Sequence, residues 1–261
     1  MESGMFTALF GALANEHRLN SITNNLANVH TTGYKREMLA FKDTYFRFAH
    51  DQIMEPIPNI RAKPLFPDPQ HKARARIAEG VIDFQQGGLK GSGDPLDVAI
   101  SGSGFFKIQT PDGNTFYTRN GHFRLDSEGR LVSEQGYTVV GEGGEILVPV
   151  GTRNVTIAED GRLFADEALA GQISLVDVDE PAFLERQGQN LYRVRPGEEV
   201  AEMPPERGYM VQGFLEAPNV DAVYEMVNMI EAHRQFEAYA KVMQASQQMD
   251  SEATSKVGRA R

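Results

Sequence analysis

The chain has 261 residues, of which 41% are hydrophobic and 24% are charged, and its formal net charge is −10. This composition is ordinary for a soluble globular protein, and no apolar run is long enough to cross a bilayer. The first residues also lack the apolar core of a cleaved secretion signal, because Gly4 and the polar residues 15–18 interrupt it. The absence of cysteine neither requires nor reveals an oxidising compartment.

The first predicted element is an amphipathic helix over residues 4 to about 28. When this segment is divided into heptads, seven of the eight seam positions are apolar, which favours packing against another helix. The seam positions are Met5, Ala8, Ala12, Asn15, Leu19, Ile22, Leu26 and Val29. Gly33 is placed to end the helix with a left-handed cap. No segment directly downstream offers the partner helix that this seam needs.

The next segment has an aromatic part and a proline-rich part. Residues 34–48 are rich in aromatic side chains and could form either a short second helix or a strand that turns back. Residues 49–76 contain five prolines and a basic second half with Arg61, Lys63, Lys72, Arg74 and Arg76. Because proline removes backbone donors and disfavours helix, we expect an extended linker that is solvated or contacts another subunit. Nucleic-acid or peptidoglycan binding is the alternative, but scattered cations in an acidic chain argue against it.

Residues 77–217 contain many short runs of β-forming residues separated by turns. The runs are residues 96–100, 105–109, 116–118, 123–125, 154–157 and 172–176, and the turns are residues 111–114, 127–129, 142–144 and 159–161. This spacing predicts antiparallel strands in a twisted sandwich or a partly open barrel. The segment carries 23 acidic and 11 basic residues, whereas both ends of the chain are nearly neutral. Nearly neutral ends can pack against copies of themselves, while an acidic centre keeps the outside soluble.

The last predicted element is a helix over residues 220–255, with Pro218 and Asn219 at its start and Gly258 after its end. Its apolar residues recur at helical spacing and are expected to match the N-terminal seam. They are Val220, Val223, Val227, Ile230, Phe236, Tyr239 and Met243. The predicted fold class is therefore α+β, with the N- and C-terminal helices packed as a coiled-coil-like pair and a central all-β domain of short antiparallel strands. The expected divisions are residues 1–48, 49–76, 77–217 and 218–261.

Motifs in three parts of the chain resemble those of the flagellar rod and hook proteins. Residues 27–35, Ala-Asn-Val-His-Thr-Thr-Gly-Tyr-Lys, closely resemble the N-terminal signature of that family, and residues 219–230 look like its C-terminal counterpart. Residues 102–106, 117–123 and 126–132 are similar to its central module. The motifs follow the order of the family over most of the chain. The resemblance therefore implies a structural subunit of the bacterial flagellar basal-body rod. Residues 141–144 and 234–237 look more like the proximal-rod subunit, and a distal-rod or hook-type axial subunit is the alternative.

The resemblance also implies partners and a location. The helical termini would pack with copies of the chain and with other rod subunits into an inner tube, and the β-domain would face outward. The rod would transmit torque across the periplasm and leave a channel open. Delivery by the flagellar export apparatus, without cleavage of a signal peptide, is implied as well. No cofactor, nucleic acid or membrane insertion is expected.

The residues expected at the assembly interface lie near both ends of the chain. Asn24, Asn25 and Asn28 weaken an isolated helix because their amides compete for backbone groups. The resemblance implies that these amides form hydrogen bonds between adjacent subunits and that Gly33 turns the chain outward. A second interpretation is that the N-terminal seam packs only against the C-terminal helix, and the two can coexist. The expected interface comprises Leu19, Ile22, Asn24, Asn25, Leu26, Ala27, Asn28, Val29, Thr32, Gly33, Tyr34, Asn219, Val223, Met226, Val227, Ile230, Phe236, Tyr239 and Met243.

Neither a catalytic site nor a metal site is expected. The six histidines are scattered without ligand spacing, and the Gly-Ser-Gly sequences at residues 91–93 and 102–104 are typical of turns between strands. The acidic clusters at residues 177–180 and 198–202 are typical of solvated surface. We therefore expect a protein that is not an enzyme. Two competing hypotheses are a β-rich hydrolase with helical flanks, which requires a deep cleft with converging polar groups, and a free-standing binding module with an intramolecular helical hairpin.

Overall fold

The computed structural model describes residues 2–47, 71–188, 190–205 and 207–258. These residues form two long helices, α1 at Glu2–Ala27 and α2 at Ala222–Gly258, with the strands between them. The chain divides into two compact units. The helical unit comprises Met1–Thr23, Met38–Val81 and Met226–Arg261, and the β unit comprises Asn24–Glu37 and Ile82–Glu225.

The strands are short apart from the first two. They are β1 Glu37–Arg47, β2 His71–Ile82, β3 Leu89–Gly91, β4 Val98–Ser101, β5 Phe105–Gln109, β6 Thr115–Thr118, β7 Phe123–Leu125, β8 Leu131–Ser133, β9 Thr138–Gly141, β10 Gly144–Glu145, β11 Val155–Ile157, β12 Arg162–Ala165, β13 Ala168–Gln172, β14 Leu175–Val178, β15 Leu184–Arg186, β16 Leu191–Val194, β17 Glu202–Met203, β18 Tyr209–Gln212 and β19 Phe214–Glu216. A short 3-10 helix, Pro181–Phe183, precedes β15.

The strands of the β unit pair with antiparallel neighbours. The largest sheet has ten strands in the order β15-β16-β6-β5-β9-β8-β7, with β10 on β9, β14 on β5 and β17 on β14. Three smaller sheets are formed by β11-β12-β13, by β18-β4 and by β19-β3. The four turns predicted from Gly and Asp lie between consecutive strands, as expected for short antiparallel connections. The α+β class with a central domain of short antiparallel strands is confirmed.

Alternating apolar residues account for the core of the β unit. In β5, Phe106 and Ile108 are fully buried in one cluster, whereas Phe105 belongs to a second cluster with Tyr117 and Tyr192. Successive side chains of a strand point to opposite faces, so a strand with Phe at two adjacent positions contributes to both clusters. The ring of Phe106 meets that of Phe123 edge to face, with centroids 5.0 Å apart. The predicted runs 105–109 and 123–125 coincide with β5 and β7.

In the helical unit, α1 and α2 pack together through small residues. Ala8, Ala12 and Ala232 are buried, and the side-chain amide of Asn15 donates a hydrogen bond to the carbonyl oxygen of Ala232. Gly11 lies against the ring of Tyr239, where a Cβ atom would come 2.6 Å from the ring Cε1 atom. The predicted pairing of the terminal helices is confirmed.

The structure settles the segment that the sequence left open and corrects two boundaries. Residues 37–47 form strand β1, which pairs with β2 in a two-stranded sheet, so the turned-back strand was the right alternative. Strand β2 begins at His71, and residues 71–76 are therefore strand and not linker. Residues 48–70, the rest of the predicted linker, lie outside the described residues. Gly258 is the last residue of α2 and does not follow its end.

Candidate assembly interface and signature segment

The face of α1 that packs on α2 follows the predicted seam. Ala8, Ala12, Asn15 and Ile22 are buried, while Met5 and Leu19 are half-buried. In the β unit, Leu26 and Val29 are half-buried too. The small side chains of Ala8 and Ala12 let the two helix backbones approach closely, since the interaxial distance depends on the residues at the contact.

The face of α2 that packs on α1 agrees only in part with the predicted one. In the helical unit α2 buries Ala232 and Ser246, with Tyr239 and Met243 half-buried. The expected seam residues Val223, Val227, Ile230 and Phe236 are exposed instead. The prediction relied on apolar residues at helical spacing, whereas the contact with Asn15 is made at the small residue Ala232, where the two helices approach closely. Glu225, Ala232, Tyr239 and Ser246 recur every seven residues, but because two of them are polar or charged, no apolar heptad pattern in the sequence identifies this face.

Large apolar side chains of α2 therefore point away from α1. We call Met226, Val227 and Ile230 the outer stripe; their exposed fractions are 50%, 50% and 55%. On α1, Leu9 and Leu13 lie outside the seam and are 41% and 43% exposed. In an isolated helix pair the apolar faces normally turn inward. Here the described part of the helical unit leaves apolar surface on the outside of both helices.

The signature segment, residues 27–35, lies in the β unit, and its last three residues are buried. Gly33, Tyr34 and Lys35 are buried, Thr32 and Asn28 are half-buried, and Asn24 and Ala27 are exposed. Gly33 has a left-handed backbone, with φ +69°, as predicted. It does not cap α1, however, because the helix ends six residues earlier at Ala27 and residues 28–33 form turns. The Gly33 amide donates to the carbonyl oxygen of Glu216 at 2.8 Å.

Asn25 connects three parts of the β unit through its side-chain amide. Its Oδ1 atom accepts hydrogen bonds from the Tyr34 hydroxyl at 3.1 Å and from the backbone amide of Glu37 at 2.9 Å. Its Nδ2 atom donates to the Glu37 carbonyl at 2.9 Å and to Glu225 Oε1 at 3.3 Å. The amide that the resemblance assigned to contacts between subunits therefore bonds within the chain. Asn28 likewise donates to the Asn24 carbonyl oxygen at 2.8 Å.

Lys35, Glu216 and Arg119 form a buried charge cluster, which we call the triad. Lys35 Nζ lies 2.6 Å from Glu216 Oε1 and donates to the carbonyl oxygen of Gln85 at 2.7 Å. Arg119 Nη1 lies 3.5 Å from Glu216 Oε2. Burial lowers the pKa of the Lys35 amine, and the opposite charge of Glu216 offsets this only in part. The triad was missed in the sequence because its members are far apart along the chain.

Two further side chains, those of Arg186 and Asn219, hold the signature and the adjacent Arg36. Arg186 Nη1 donates to the Tyr34 hydroxyl at 2.8 Å, its guanidinium carbon lies 4.3 Å from the centre of the Tyr34 ring, and its Nη2 donates to the Lys35 carbonyl. Burial raises the pKa of the Tyr34 hydroxyl, and the positive charge of Arg186 opposes that shift. Asn219, a predicted interface residue, accepts from the Arg36 amide at 2.7 Å and donates to the Asp83 carbonyl at 2.8 Å.

The β unit also has two open clefts. One, of about 430 Å³, is lined by Val29, Lys90, Leu215 and Glu216 among others, but the Glu216 side chain is excluded from solvent and its carboxylate is paired with Lys35. The other, of about 420 Å³, is lined in part by Asp166, whose carboxylate accepts hydrogen bonds from the backbone amides of Arg153 and Asn154. Within the described residues, no cluster of His, Asp and Glu could hold a metal ion, and no helix could span a membrane.

Comparison with known proteins matches three parts of the chain to flagellar families. Residues 6–35 match the flagella basal body rod protein family, residues 99–165 the flagellar hook protein FlgE/F/G D1 domain, and residues 211–256 the flagellar basal body rod FlgEFG protein C-terminal family. The first and third matches include the signature segment and most of the two helices.

Relatives that match over nearly the whole length of the chain are named flagellar basal-body rod proteins. The chain is 34% identical to the flagellar basal-body rod protein FlgG of Agrobacterium fabrum, over 94% of this chain and 95% of the relative. It is 32% identical to FlgG of Bacillus subtilis, over 95% and 97%, and 31% identical to the flagellar basal-body rod protein FlgF of Caulobacter vibrioides, over 99% of each. The buried signature, the paired terminal helices and these similarities over nearly the whole length agree: the chain belongs to the flagellar basal-body rod protein family and is a structural subunit of the rod.

Proposed function

We propose that this rod subunit assembles through the outer faces of its two terminal helices. The partners are further copies of the chain and other rod subunits, and the product is the axial tube of the basal body. The observation that carries the proposal is the outer stripe. Three large apolar residues of α2 are at least half exposed, whereas α2 contacts α1 through other residues, among them Ala232 and Tyr239.

The energetics favour a protein partner for this surface. Burying an exposed aliphatic side chain contributes about 1.5–3 kcal/mol at full burial, and each stripe residue still exposes half of its surface. Leu9 and Leu13 offer a second apolar surface on α1. The ends of the chain are nearly neutral, so copies can approach each other there without strong repulsion.

The predicted interface residues then fall into two groups. Val223, Met226, Val227, Ile230 and Phe236 are exposed and are proposed as direct contacts between subunits, as are the exposed Asn24 and Ala27. The other predicted residues lie in two places. The helical unit contains Leu19, Ile22, Tyr239 and Met243, and the β unit contains Asn25, Leu26, Asn28, Val29, Thr32, Gly33, Tyr34 and Asn219. Their contribution to assembly would be indirect.

The wider role follows from assembly into a rod. We propose that the subunit acts mechanically in the periplasmic part of the basal body, transmitting torque, and that it has no catalytic activity and binds no nucleic acid. We also propose export by the flagellar apparatus without cleavage of a signal peptide. The proximal position in the rod stays a prediction.

An aspartate in the outer stripe tests the proposal. Ile230→Asp places a charge at an exposed position, so the purified chain should unfold within about 0.5 kcal/mol of the wild type. In a strain that lacks the chromosomal copy, the variant should abolish swimming, because a charge in an apolar subunit contact costs several kcal/mol or more. Incorporation into isolated basal bodies should fall in parallel.

Gln244→Asp is the matched control. It makes a similar change at an exposed position of the same helix, beyond the outer stripe, and should leave swimming intact. Normal incorporation of Ile230→Asp would show that the outer stripe is not a subunit contact.

A further inference from the structure

The last turn of α1 and the first turn of α2 both belong to the β unit. They are joined there by the hydrogen bond from Asn25 to Glu225, and both side chains are buried. The same Asn25 amide also holds Tyr34 and Glu37. One side chain thus ties the end of one helix to the start of the other and to the signature between α1 and β1.

Glu216, the last residue of β19, likewise connects the segment before α2 to the signature. Its Oε1 atom accepts from Lys35 Nζ at 2.6 Å and from the Gly87 amide at 2.9 Å, while Arg119 faces Oε2. Only five residues separate Glu216 from the start of α2 at Ala222. Within that connection, Asn219 is bonded to Arg36 and Asp83. The path into α2 is therefore fixed at two points, to Lys35 of the signature and to the adjacent Arg36.

We infer that Asn25, Lys35 and Glu216 are positioning residues, which hold the last turn of α1 and the first turn of α2 in one arrangement on the β unit. The signature would then act within the chain, by holding the adjoining turns of the two helices in place. The inference rests on the proposed function for its importance, since a subunit of a regular assembly must present its helices in the same direction in every copy.

Stability alone does not account for the triad. Removing charged groups from water is costly, and well-packed apolar residues often stabilise a buried site as well as an ion pair does. An apolar cluster, however, can shift by small steps, whereas hydrogen-bonded charges specify the direction of each partner. The polar arrangement thus favours a single geometry over maximal stability.

The test replaces the charges of the triad with apolar residues of similar size. In the full chain, Lys35→Met, Arg119→Met and Glu216→Leu are combined, so that no charge of the triad is left unpaired. Segment-resolved hydrogen exchange is then measured on the purified protein. The amides of residues 24–27 and 222–225 should exchange at least tenfold faster, while those of β5 and β6 should keep their wild-type rates. Swimming of the complemented strain should be lost.

Two further variants sharpen the result. Tyr34→Phe keeps the triad and removes only the hydroxyl that bonds Asn25 and Arg186, so it should accelerate exchange in the same two turns to a smaller extent. The control, Arg193→Gln with Glu185→Gln, removes a partly exposed cross-strand ion pair of 2.5 Å and should change neither exchange in those turns nor swimming.

Three outcomes would overturn the inference. Unchanged exchange in both turns would mean that the triad fixes nothing there. Equal acceleration in β5 and β6 would make it a general stability element, and normal swimming with accelerated exchange would show that assembly does not need this order. The exchange result stands independently of the proposed interface, which the Ile230→Asp variant tests separately.

Discussion

Lys35 and Glu216 are 181 residues apart along the chain, yet their charged atoms lie 2.6 Å from each other and both side chains are almost completely excluded from solvent. Arg119 adds a second cation on the other side of the same carboxylate. The cluster therefore contains two cations and one anion, and this imbalance determines which substitution is worst.

Removal of the shared anion should destabilise the protein more than removal of one cation. Glu216→Gln leaves two buried cations facing a neutral group and should lower the free energy of unfolding by about 3–5 kcal/mol. Lys35→Met leaves the Arg119–Glu216 pair and should cost less than half as much. Urea unfolding of the two purified variants gives the comparison. Equal losses would show that the second cation contributes little.

Gly33 should not tolerate a side chain. Its φ of +69° is unfavourable for L-residues, and a Cβ atom would lie 2.6 Å from the carbonyl carbon of Arg119 and the amide nitrogen of Asn120. Gly33→Ala should therefore cost about 2 kcal/mol or more in urea unfolding. Gly88→Ala is the control, because no atom lies within 4 Å of a Cβ there. A similar loss in both variants would show that the close contact at Gly33 is not the cause.

A strained turn residue offers a stabilising change. Glu167, between β12 and β13, has φ 75°, a conformation that glycine adopts readily. Glu167→Gly should raise the free energy of unfolding by about 1 kcal/mol. Glu142→Gly removes the same side chain from a turn position without a positive φ and should give no gain. If Glu167→Gly lowers the melting temperature, the side chain makes a contact that outweighs the strain.

Tyr192 should make the protein sensitive to alkali. Burial raises the pKa of its hydroxyl from 10.0 to about 12, and the nearby charge of Arg186 offsets this only partly. Because the folded state favours the neutral form, the stability from this group is complete below pH 10 and declines as the pH rises from 10 towards 12. Unfolding of the wild type and of Tyr192→Phe should be measured at pH 7 and pH 11.

The two proteins should differ by about 1 kcal/mol or less at pH 7, where the hydroxyl is neutral in both folded and unfolded chains. At pH 11 the free energy of unfolding of Tyr192→Phe, relative to that of the wild type, should be higher than at pH 7 by about 1 kcal/mol or more. The comparison removes the contributions of the other titrating groups, which the two proteins share. A difference that stays constant between the two pH values would contradict the assigned shift.

The sequence predicted local structure better than it predicted contacts. Strands β5 and β7 were found at the right residues because their apolar runs and turns are local signals. The exposed face of α2 was predicted wrongly. Val227 and Ile230 were expected in the contact with α1 because they are apolar, but they are exposed, and the small residue Ala232 is buried. Strand β2 was missed between residues 71 and 76, because its charged residues and the prolines before it indicated a linker.

The signature shows the same limit at the candidate site. The motif pointed to Asn25, Gly33 and Tyr34, but their partners could not be read from it. Glu216, Arg186 and Arg119 lie in three different strands or loops of the β unit, and only the tertiary fold brings them to Tyr34 and Lys35. A buried contact over such a distance in sequence leaves no periodic pattern.

The position of Glu216 near the end of the β unit also determines when the triad can form during synthesis of the chain. Translation delivers Asn25 and Lys35 early, and they remain without their carboxylate partners until Glu216 and Glu225 leave the ribosome. A chain interrupted before that point keeps Lys35 in water, where an ammonium group is well solvated, and gains nothing by burying it. The contacts of Lys35 and Asn25 with Glu216 and Glu225 can therefore form only when nearly the whole chain has been made. A chain truncated before Glu216 lacks them.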